Sequence, residues 1–195
     1  MKFASRGGVP TFAVTLAHIS GFDDVIADER ILELIEEDVA TATDSKSAVF
    51  AEIIERSVAI KARVVGEDFK ESGLREILNY GHTLGHAIEL AERYKWRHGA
   101  AISIGMVFVA ELARLAGRLS DSVVDRHRSV LKLLGLPTTY SAAKWNQLVE
   151  TMQRDKKSRA GTLRFVVLDD LAKPTIMTAP TPEMLHAAFQ EIVES

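Results

Sequence analysis

The side chains best suited to chemistry lie in residues 75–89, which read REILNYGHTLGHAIE. His82 and His86 are four residues apart, so a helix would present both imidazoles to one point. His98 follows after a short connection and can fold back onto the same pocket. Because neutral imidazole is a common nitrogen ligand for zinc, this spacing predicts a metal site. A bare pair of helical histidines is more often an ordinary surface pair, and the HExxH protease motif is excluded because no glutamate directly follows His82.

The segment around these histidines is predicted to be one amphipathic helix that ends near residue 94. Gly81 and Gly85 would each cost this helix about 1 kcal/mol relative to alanine. Such a loss is tolerated most readily where another backbone or a ligand comes close. At about 100° per residue, one stripe opposite the apolar face contains Arg75, Asn79, His82, His86 and Glu89. We interpret this stripe as the wall of a polar site.

Three further groups are candidates for binding charged ligands. Lys61 interrupts an apolar helical face, which is equally typical of a snorkelling side chain. Glu71 lies just before the histidine helix, where the pattern alone favours a solvated loop charge. Residues 155–159, which read DKKSR and are followed by Gly161, are predicted to form a basic loop suited to phosphate or carboxylate groups. As a lone charge run, such a loop is more often simply solvated.

Helical periodicity dominates the rest of the chain. A helix capped by Asp28 is expected through Val39. A longer helix over residues 47–65 is expected to bury a set of apolar residues, namely Val49, Phe50, Ile53, Ile54, Val58 and Ala62. The other predicted elements are helices over residues 99–116, 120–135, 145–154 and 181–193, and a β-hairpin formed by residues 162–168 and 175–178. The fold class is therefore mainly α with one small β-hairpin.

The composition is that of a soluble globular domain. The chain has 195 residues, of which 47% are hydrophobic and 26% charged, and its net charge is -3 with both signs interspersed. This balance argues against nucleic acid or an anionic membrane as a partner. The absence of cysteine excludes disulfides and thiolate ligands and is compatible with a reducing, cytoplasmic location. The most apolar run, residues 100–110, is too short to span a bilayer.

Three motifs in succession carry a resemblance to a known family. They are LREILNYGHTLGHAIE at residues 74–89, RHGAAISIGM at residues 97–106 and RDKKSRAGTLRFVVL at residues 154–168. Their order and spacing resemble the C-terminal half of 3-dehydroquinate synthase, a sugar-phosphate cyclase, over roughly residues 25–195. The resemblance implies a multi-helical domain that packs on an NAD-binding domain, with a divalent metal such as zinc or cobalt in the cleft. It also implies a cytoplasmic homodimer with a small sugar-phosphate substrate and no nucleic-acid or membrane partner.

The same resemblance implies roles for individual residues. His82 and His98 resemble two zinc ligands, while His86 and Glu71 resemble a pair of acid/base residues. The residues that resemble substrate contacts are Lys61, Arg75, Asn79 and Lys156, with Lys157 as the alternative to Lys156. The family reaction is a phosphate-eliminating lyase step of the shikimate pathway, which leads to aromatic amino acids. It converts a seven-carbon keto-acid sugar phosphate to 3-dehydroquinate and uses NAD+ as a transient hydride acceptor.

Two departures from the family pattern concern the start of the chain. The family has an AExxK motif whose glutamate is the third zinc ligand, whereas residues 16–22 here read LAHISGF. The NAD-binding half is also not found, since no segment reads as a strand, a glycine-rich turn and a helix. We therefore expect an irregular segment over residues 1–22 that does not match the family and a helical metal- and substrate-binding domain over residues 23–195.

These departures predict a chain that is inactive alone and binds zinc weakly or not at all. His18, Asp23 or Asp24 would have to supply a third ligand for tight binding. Two alternatives to a synthase domain follow from the sequence. One is a sister sugar-phosphate cyclase or an iron-type alcohol dehydrogenase, which share the architecture. The other is a non-catalytic helical module that binds a partner protein.

Overall fold

A computed structural model of the chain describes residues 28–67, 74–158 and 162–194. At positions 74, 75 and 155–158 it describes the backbone alone. The predicted irregular segment over residues 1–22 lies outside these ranges, as does Glu71. The described part is built from α-helices and one β-hairpin, which confirms the predicted fold class.

The first helices follow their capping residues closely. Helix α1 spans Glu29–Glu37, and the Oδ1 atom of Asp28 accepts a hydrogen bond of 2.9 Å from the Arg30 amide. The predicted continuation through Val39 is wrong, because Asp38 is extended (φ -158) and caps a separate short helix, α2, at Val39–Ala42. The polar side chain of Asp38 competes with the helical backbone and so ends one helix and starts the next.

Helix α3 spans Ala48–Glu67 and buries Ile53 as expected, with Val49 and Phe50 packed against the core, but its second half turns a different face inward. Its buried residues are Ile53, Ser57, Ile60 and Val64. Val58 is 58% exposed and Ala62 is exposed, so the prediction that they are buried is wrong. Apolar residues cover more than one side of this helix, and their spacing therefore does not decide which side packs against the rest of the chain.

The predicted continuous histidine helix is divided in two. Leu74–Asn79 form a 3-10 helix, Tyr80 and Gly81 form a turn, and helix α4 spans His82–Ala91. Gly81 is the N-cap of α4 and has a φ of 79°, which favours glycine over any residue with a Cβ atom. Arg75 and Asn79 therefore precede the histidine helix and do not share a stripe with His82 and His86.

Helix α5 spans His98–Leu115 and forms the centre of the fold. It packs against α4, against the later helices α6 (Asp121–Leu133) and α8 (Pro182–Gln190), and against strand β1 (Arg164–Asp170). By length and composition α5 is apolar enough to cross a membrane, but 78% of it is buried inside the protein. Its apolar circumference is thus accounted for by the core of the domain, as predicted from its sequence.

The C-terminal part joins one further helix to the hairpin. Helix α7 spans Trp145–Ser158 and follows a 3-10 turn at Ala142–Lys144, and β1 pairs antiparallel with β2 (Lys173–Thr178). The predicted hairpin is therefore confirmed. The predicted basic loop is wrong over residues 155–158, which belong to α7. A helix continues here because the charged run contains no glycine or proline before Gly161.

A network of ion pairs joins α5, α6 and the end of α8. The carboxylate of Glu111, on α5, is only 5% exposed. It contacts Arg114 Nε at 2.6 Å and Arg128 Nη2 at 2.5 Å. Arg128 also donates a hydrogen bond of 2.8 Å to the carbonyl oxygen of Glu191. Because both guanidinium groups face the shielded carboxylate, this charge is paired despite its burial.

Candidate metal centre

Three imidazoles meet where helices α4 and α5 begin. His82 is the first residue of α4, His86 lies one turn later, and His98 is the first residue of α5. One ring nitrogen from each histidine lies within 4.8 Å of the others. The ring centroids are 5.1 Å apart for His82 and His86, 5.4 Å for His82 and His98, and 5.8 Å for His86 and His98. The structure thus brings together the three histidines that the sequence singled out.

Two glycines let α4 lie directly against α5. A Cβ atom on Gly81 would be 2.6 Å from the backbone nitrogen of Met106, and one on Gly85 would be 3.3 Å from the carbonyl oxygen of Ala101. From the other side, a Cβ atom on Gly105 would collide with the carbonyl of Gly81. The expectation that these glycines allow the close approach of another backbone is therefore confirmed. This close packing holds the two histidine-bearing helix ends in register.

Hydrogen bonds to two of the rings come from the same short region. The Nδ1 atom of His98 is 3.1 Å from Oε1 of Glu89, whose side chain is 13% exposed. The Nδ1 atom of His82 is 3.4 Å from the carbonyl oxygen of Tyr80. Sequence reasoning placed Glu89 near the histidines but did not pair it with His98. Glu89 follows His82 by seven residues, so both lie on one face of α4. This spacing indicates that Glu89 is near the histidines.

The electrostatic environment favours neutral imidazole at His82. Burial lowers the pKa of His82 to about 4, with smaller contributions from His86, His98 and the positive charge of Lys61. The ring is therefore unprotonated at neutral pH, which is the state that binds metal. The contribution from Lys61, on α3, also places its ammonium group within electrostatic reach of the histidine cluster.

Four of the remaining predicted site residues lie on described elements near the histidine helix. Lys61 is half-buried, and Asn79 is exposed at the end of the 3-10 helix that precedes α4. The backbone of Arg75 lies in the same 3-10 helix, which contacts α3. The backbone of Lys156 lies in α7, which packs against α4. Helix α7 therefore adjoins the histidine helix, the 3-10 helix leads into it, and α3 contacts that 3-10 helix.

The donor set fits a borderline transition metal better than a hard cation. Imidazole nitrogen suits zinc and cobalt, whereas calcium and magnesium prefer oxygen ligands. In tetrahedral zinc sites the metal–nitrogen distance is about 2.0–2.1 Å, so the ligand nitrogens are about 3.4 Å apart. Starting from nitrogens within 4.8 Å of one another, the rings would have to close by no more than about 1.4 Å, which side-chain rotation can supply.

Comparison with known proteins places the chain in one family by two kinds of match. The family model described as 3-dehydroquinate synthase C-terminal matches residues 23–158. The chain is 60% identical over 179 residues to a 3-dehydroquinate synthase of Leifsonia xyli subsp. xyli, a match that covers 89% of this chain and 50% of the relative. A 3-dehydroquinate synthase of Pseudarthrobacter chlorophenolicus is 62% identical over 179 residues, covering 89% of this chain and 49% of the relative. The chain thus spans about half the length of the curated relatives it matches.

Solved structures share the fold at lower sequence identity. A 2-epi-5-epi-valiolone synthase from Streptomyces hygroscopicus subsp. jinggangensis, with NAD+ and Zn2+ bound, superimposes with a TM-score of 0.79 at 20% identity, covering 94% of this chain and 54% of that one. A 2-deoxy-scyllo-inosose synthase complexed with carbaglucose-6-phosphate, NAD+ and Co2+ gives a TM-score of 0.74 at 22% identity, covering 93% and 52%. At these identities the likeness concerns the fold alone.

Proposed function

This chain belongs to the 3-dehydroquinate synthase family, and from that membership we propose that it is the metal- and substrate-binding half of such an enzyme. The observation that carries the proposal is the convergence of His82, His86 and His98 at the adjoining ends of α4 and α5. The proposed reaction is conversion of a seven-carbon keto-acid sugar phosphate to 3-dehydroquinate and phosphate. Residues 23–195 form the proposed domain, and a family match that starts at residue 23 supports this boundary.

In the proposed site His82 and His98 hold a divalent metal ion, zinc or cobalt. When bound, such an ion polarises a carbonyl group and lowers the pKa of a coordinated hydroxyl. The exposed imidazole of His86 is proposed to exchange a proton with the substrate, with Glu71 as its acid/base partner. His86 is suited to this role because histidine gains and loses a proton near neutral pH and this ring is open to solvent.

Cationic and polar residues are proposed to orient the substrate around this point. Lys61, Arg75 and Lys156 can pair with phosphate and carboxylate groups, and Asn79 can donate to a hydroxyl. Holding the anionic groups fixed places the reacting carbons near the metal and His86 and reduces the entropic cost of the reaction. The positive charge of Lys61 contributes to the lowered pKa of His82, which supports a place for Lys61 near the cluster.

Metal binding is the direct test of the proposed site. Zinc should bind the wild-type chain more weakly than it binds a complete three-ligand site, because residues 16–22 contain no counterpart of the family glutamate. The His82→Ala variant should lose this binding. The His186→Ala variant is a matched control, since His186 is an exposed histidine on α8 that pairs with Gln190. Calorimetry that shows equal zinc binding in the wild type and in the His82→Ala variant would contradict the proposed centre.

The role of His86 can be separated from that of a metal ligand. Its ring nitrogen is near enough to complete a three-nitrogen site. If His86 is an acid/base residue, the His86→Ala variant should keep the zinc affinity of the wild type. A tenfold or greater loss of affinity, equivalent to about 1.4 kcal/mol, would instead identify His86 as the third ligand and remove its proposed catalytic role.

Catalysis requires a nucleotide site in addition to the metal centre. We propose that the 195-residue chain has no synthase activity alone and that NAD+ binds to a separate domain, as the family resemblance implies. Purified chain should therefore give no turnover with substrate, NAD+ and zinc. A chimaera with the N-terminal half of the Leifsonia xyli relative placed before residue 23 should be active, and His86→Ala should abolish that activity. Robust turnover by the chain alone would refute this part of the proposal.

The same chimaera tests substrate choice and assembly. High identity to named 3-dehydroquinate synthases favours their substrate over the substrates of sister cyclases, and a panel of sugar phosphates would show which one is turned over. We also propose that the longer enzyme is a cytoplasmic homodimer without nucleic-acid or membrane partners, as the family resemblance implies. Size-exclusion chromatography of the chimaera with light scattering would show a monomer if the dimer proposal is wrong.

A further inference from the structure

We propose that Glu89 is a positioning residue of the metal centre: its carboxylate fixes the His98 imidazole with the proton on Nδ1 and so leaves Nε2 as the metal-binding atom. The inference rests on the proposed metal centre. The observation behind it is a contact between two side chains: Nδ1 of His98 lies 3.1 Å from Oε1 of Glu89.

The chemistry of the two groups decides the direction of this hydrogen bond. An ionised carboxylate can only accept hydrogen bonds, whereas a neutral imidazole has one N–H donor and one bare nitrogen. The Glu89 side chain is 13% exposed and the His98 side chain 29% exposed, so water competes weakly for the contact. A largely buried carboxylate without a donor would be costly. Nδ1 of His98 must therefore carry the proton, and Nε2 keeps its lone pair.

The position of Glu89 in the fold makes the contact effective. Glu89 lies on α4, two turns after His82, while His98 opens α5 beyond the connecting segment. Helix α4 thus carries one proposed ligand itself and orients the other across the connection. The close backbone contact of α4 with α5 at Gly85 keeps the distance between Glu89 and His98 fixed.

A carboxylate behind a ligating histidine also changes the strength of the ligand. It raises the basicity of the imidazole and offsets part of the positive charge of the metal ion, and loss of such a partner commonly reduces metal affinity by about 10–100-fold. With few ligands available in the described residues, the orientation of each imidazole has a large effect on affinity. We therefore expect Glu89 to influence metal binding without being a ligand.

The tautomer of His98 tests the inference without any metal. In 15N-labelled wild-type protein at mildly alkaline pH, the nitrogen shifts of His98 should show a proton on Nδ1. The Glu89→Gln variant should keep this tautomer, because the glutamine side-chain oxygen also accepts a hydrogen bond. The Glu89→Ala variant should lose it. A wild-type His98 that carries its proton on Nε2 would overturn the proposal.

Zinc affinity tests the functional consequence. Glu89→Ala should bind zinc 10–100-fold more weakly than wild type, with part of the loss restored in Glu89→Gln. Glu92→Ala is the matched control, because Glu92 lies one turn later and accepts a hydrogen bond of 2.6 Å from the Tyr140 hydroxyl instead. Its affinity should equal that of wild type. Equal affinity of Glu89→Ala and wild type would contradict a positioning role.

A double-mutant comparison separates positioning from general stabilisation. If Glu89 acts through His98, adding Glu89→Ala to His98→Ala should cause no further loss of zinc affinity. A loss that persists without the His98 ring would show that Glu89 acts by another route and would refute the inference. If the wild-type chain binds zinc too weakly to be measured, as expected for a site without the family glutamate, the tautomer measurement decides whether Glu89 fixes His98.

Discussion

Replacement of Gly81 by alanine should destabilise the protein far more than an ordinary glycine substitution. Gly81 combines a φ of 79° with a closely packed environment, in which a Cβ atom would be 2.6 Å from Met106 N and 2.9 Å from the carbonyl carbon of Gly105. The left-handed conformation costs an alanine about 1–2 kcal/mol. Overpacking against backbone that cannot rotate away adds about 1–3 kcal/mol. The expected loss of unfolding free energy is therefore about 2–5 kcal/mol.

Two other glycines separate these contributions. Gly117 has a similar φ of 70° but nothing within 4 Å of the added Cβ, so Gly117→Ala should lose only the conformational part, about 1–2 kcal/mol. Gly66 lies in α3 with open space around it, and Gly66→Ala should stabilise the protein by up to about 1 kcal/mol. From the most to the least stable, the order should be Gly66→Ala, wild type, Gly117→Ala and Gly81→Ala.

Urea unfolding followed by circular dichroism measures this series directly, since the extrapolated free energies can be compared at similar m-values. Because His82 follows Gly81 immediately, Gly81→Ala should also weaken zinc binding, whereas Gly117→Ala should leave it unchanged. If Gly81→Ala proves as stable as Gly117→Ala, the contact between the start of α4 and the backbone of α5 does not exist as described. Close packing of α4 on α5 would then not be what holds the two helix ends in register.

Further predictions concern buried charge and pH. Burial lowers the pKa of His127 below its ordinary value, so the folded state prefers the neutral ring while the unfolded chain takes up a proton near pH 6.5. The contribution of the neutral His127 ring to the free energy of unfolding should therefore be complete above about pH 6.5 and decrease as the pH falls below it. The His127→Leu variant should lose less stability over the same pH range. Equal losses in the variant and the wild type would contradict this. Glu111→Ala should cost about 1.5–3 kcal/mol because its shielded carboxylate is bonded to two arginines. Arg126→Ala, which breaks exposed pairs with Glu29 and Glu36, should cost at most about 1 kcal/mol, and chemical denaturation of both variants would show whether burial decides the difference.

The local chemistry of the chain determined most of its secondary structure. The central helix α5 is predicted correctly because its apolar residues surround the whole helix axis, which only a fully buried helix tolerates. The start of α8 is equally well marked, since Thr181 accepts a hydrogen bond from the Met184 amide and Pro182 occupies the first turn. Strand β1 of the hairpin is marked by the apolar run at residues 165–168, all of which is buried. In each of these elements the deciding feature, an apolar run or a cap, lies within the element's own sequence.

The sequence also determined which histidines belong together. Two imidazoles at a spacing of four residues must share a helix face, and a third after a short connection can reach them. It indicated correctly that Gly81 and Gly85 serve a close approach. It did not show what approaches, because the partner is the backbone of α5 some twenty residues later in the chain.

Only the tertiary structure decided how the histidine segment is divided. Its apolar spacing continues through Tyr80 and Gly81, so periodicity alone predicts one long helix with Arg75 and Asn79 on the same stripe as the histidines. The contact with α5 instead holds Gly81 in a left-handed conformation, which ends the 3-10 helix and starts α4 at His82. The face that α3 buries and the pairing of Glu89 with His98 depend in the same way on neighbours distant in sequence. Such contacts form only when the helices pack, and no local pattern in the chain encodes them.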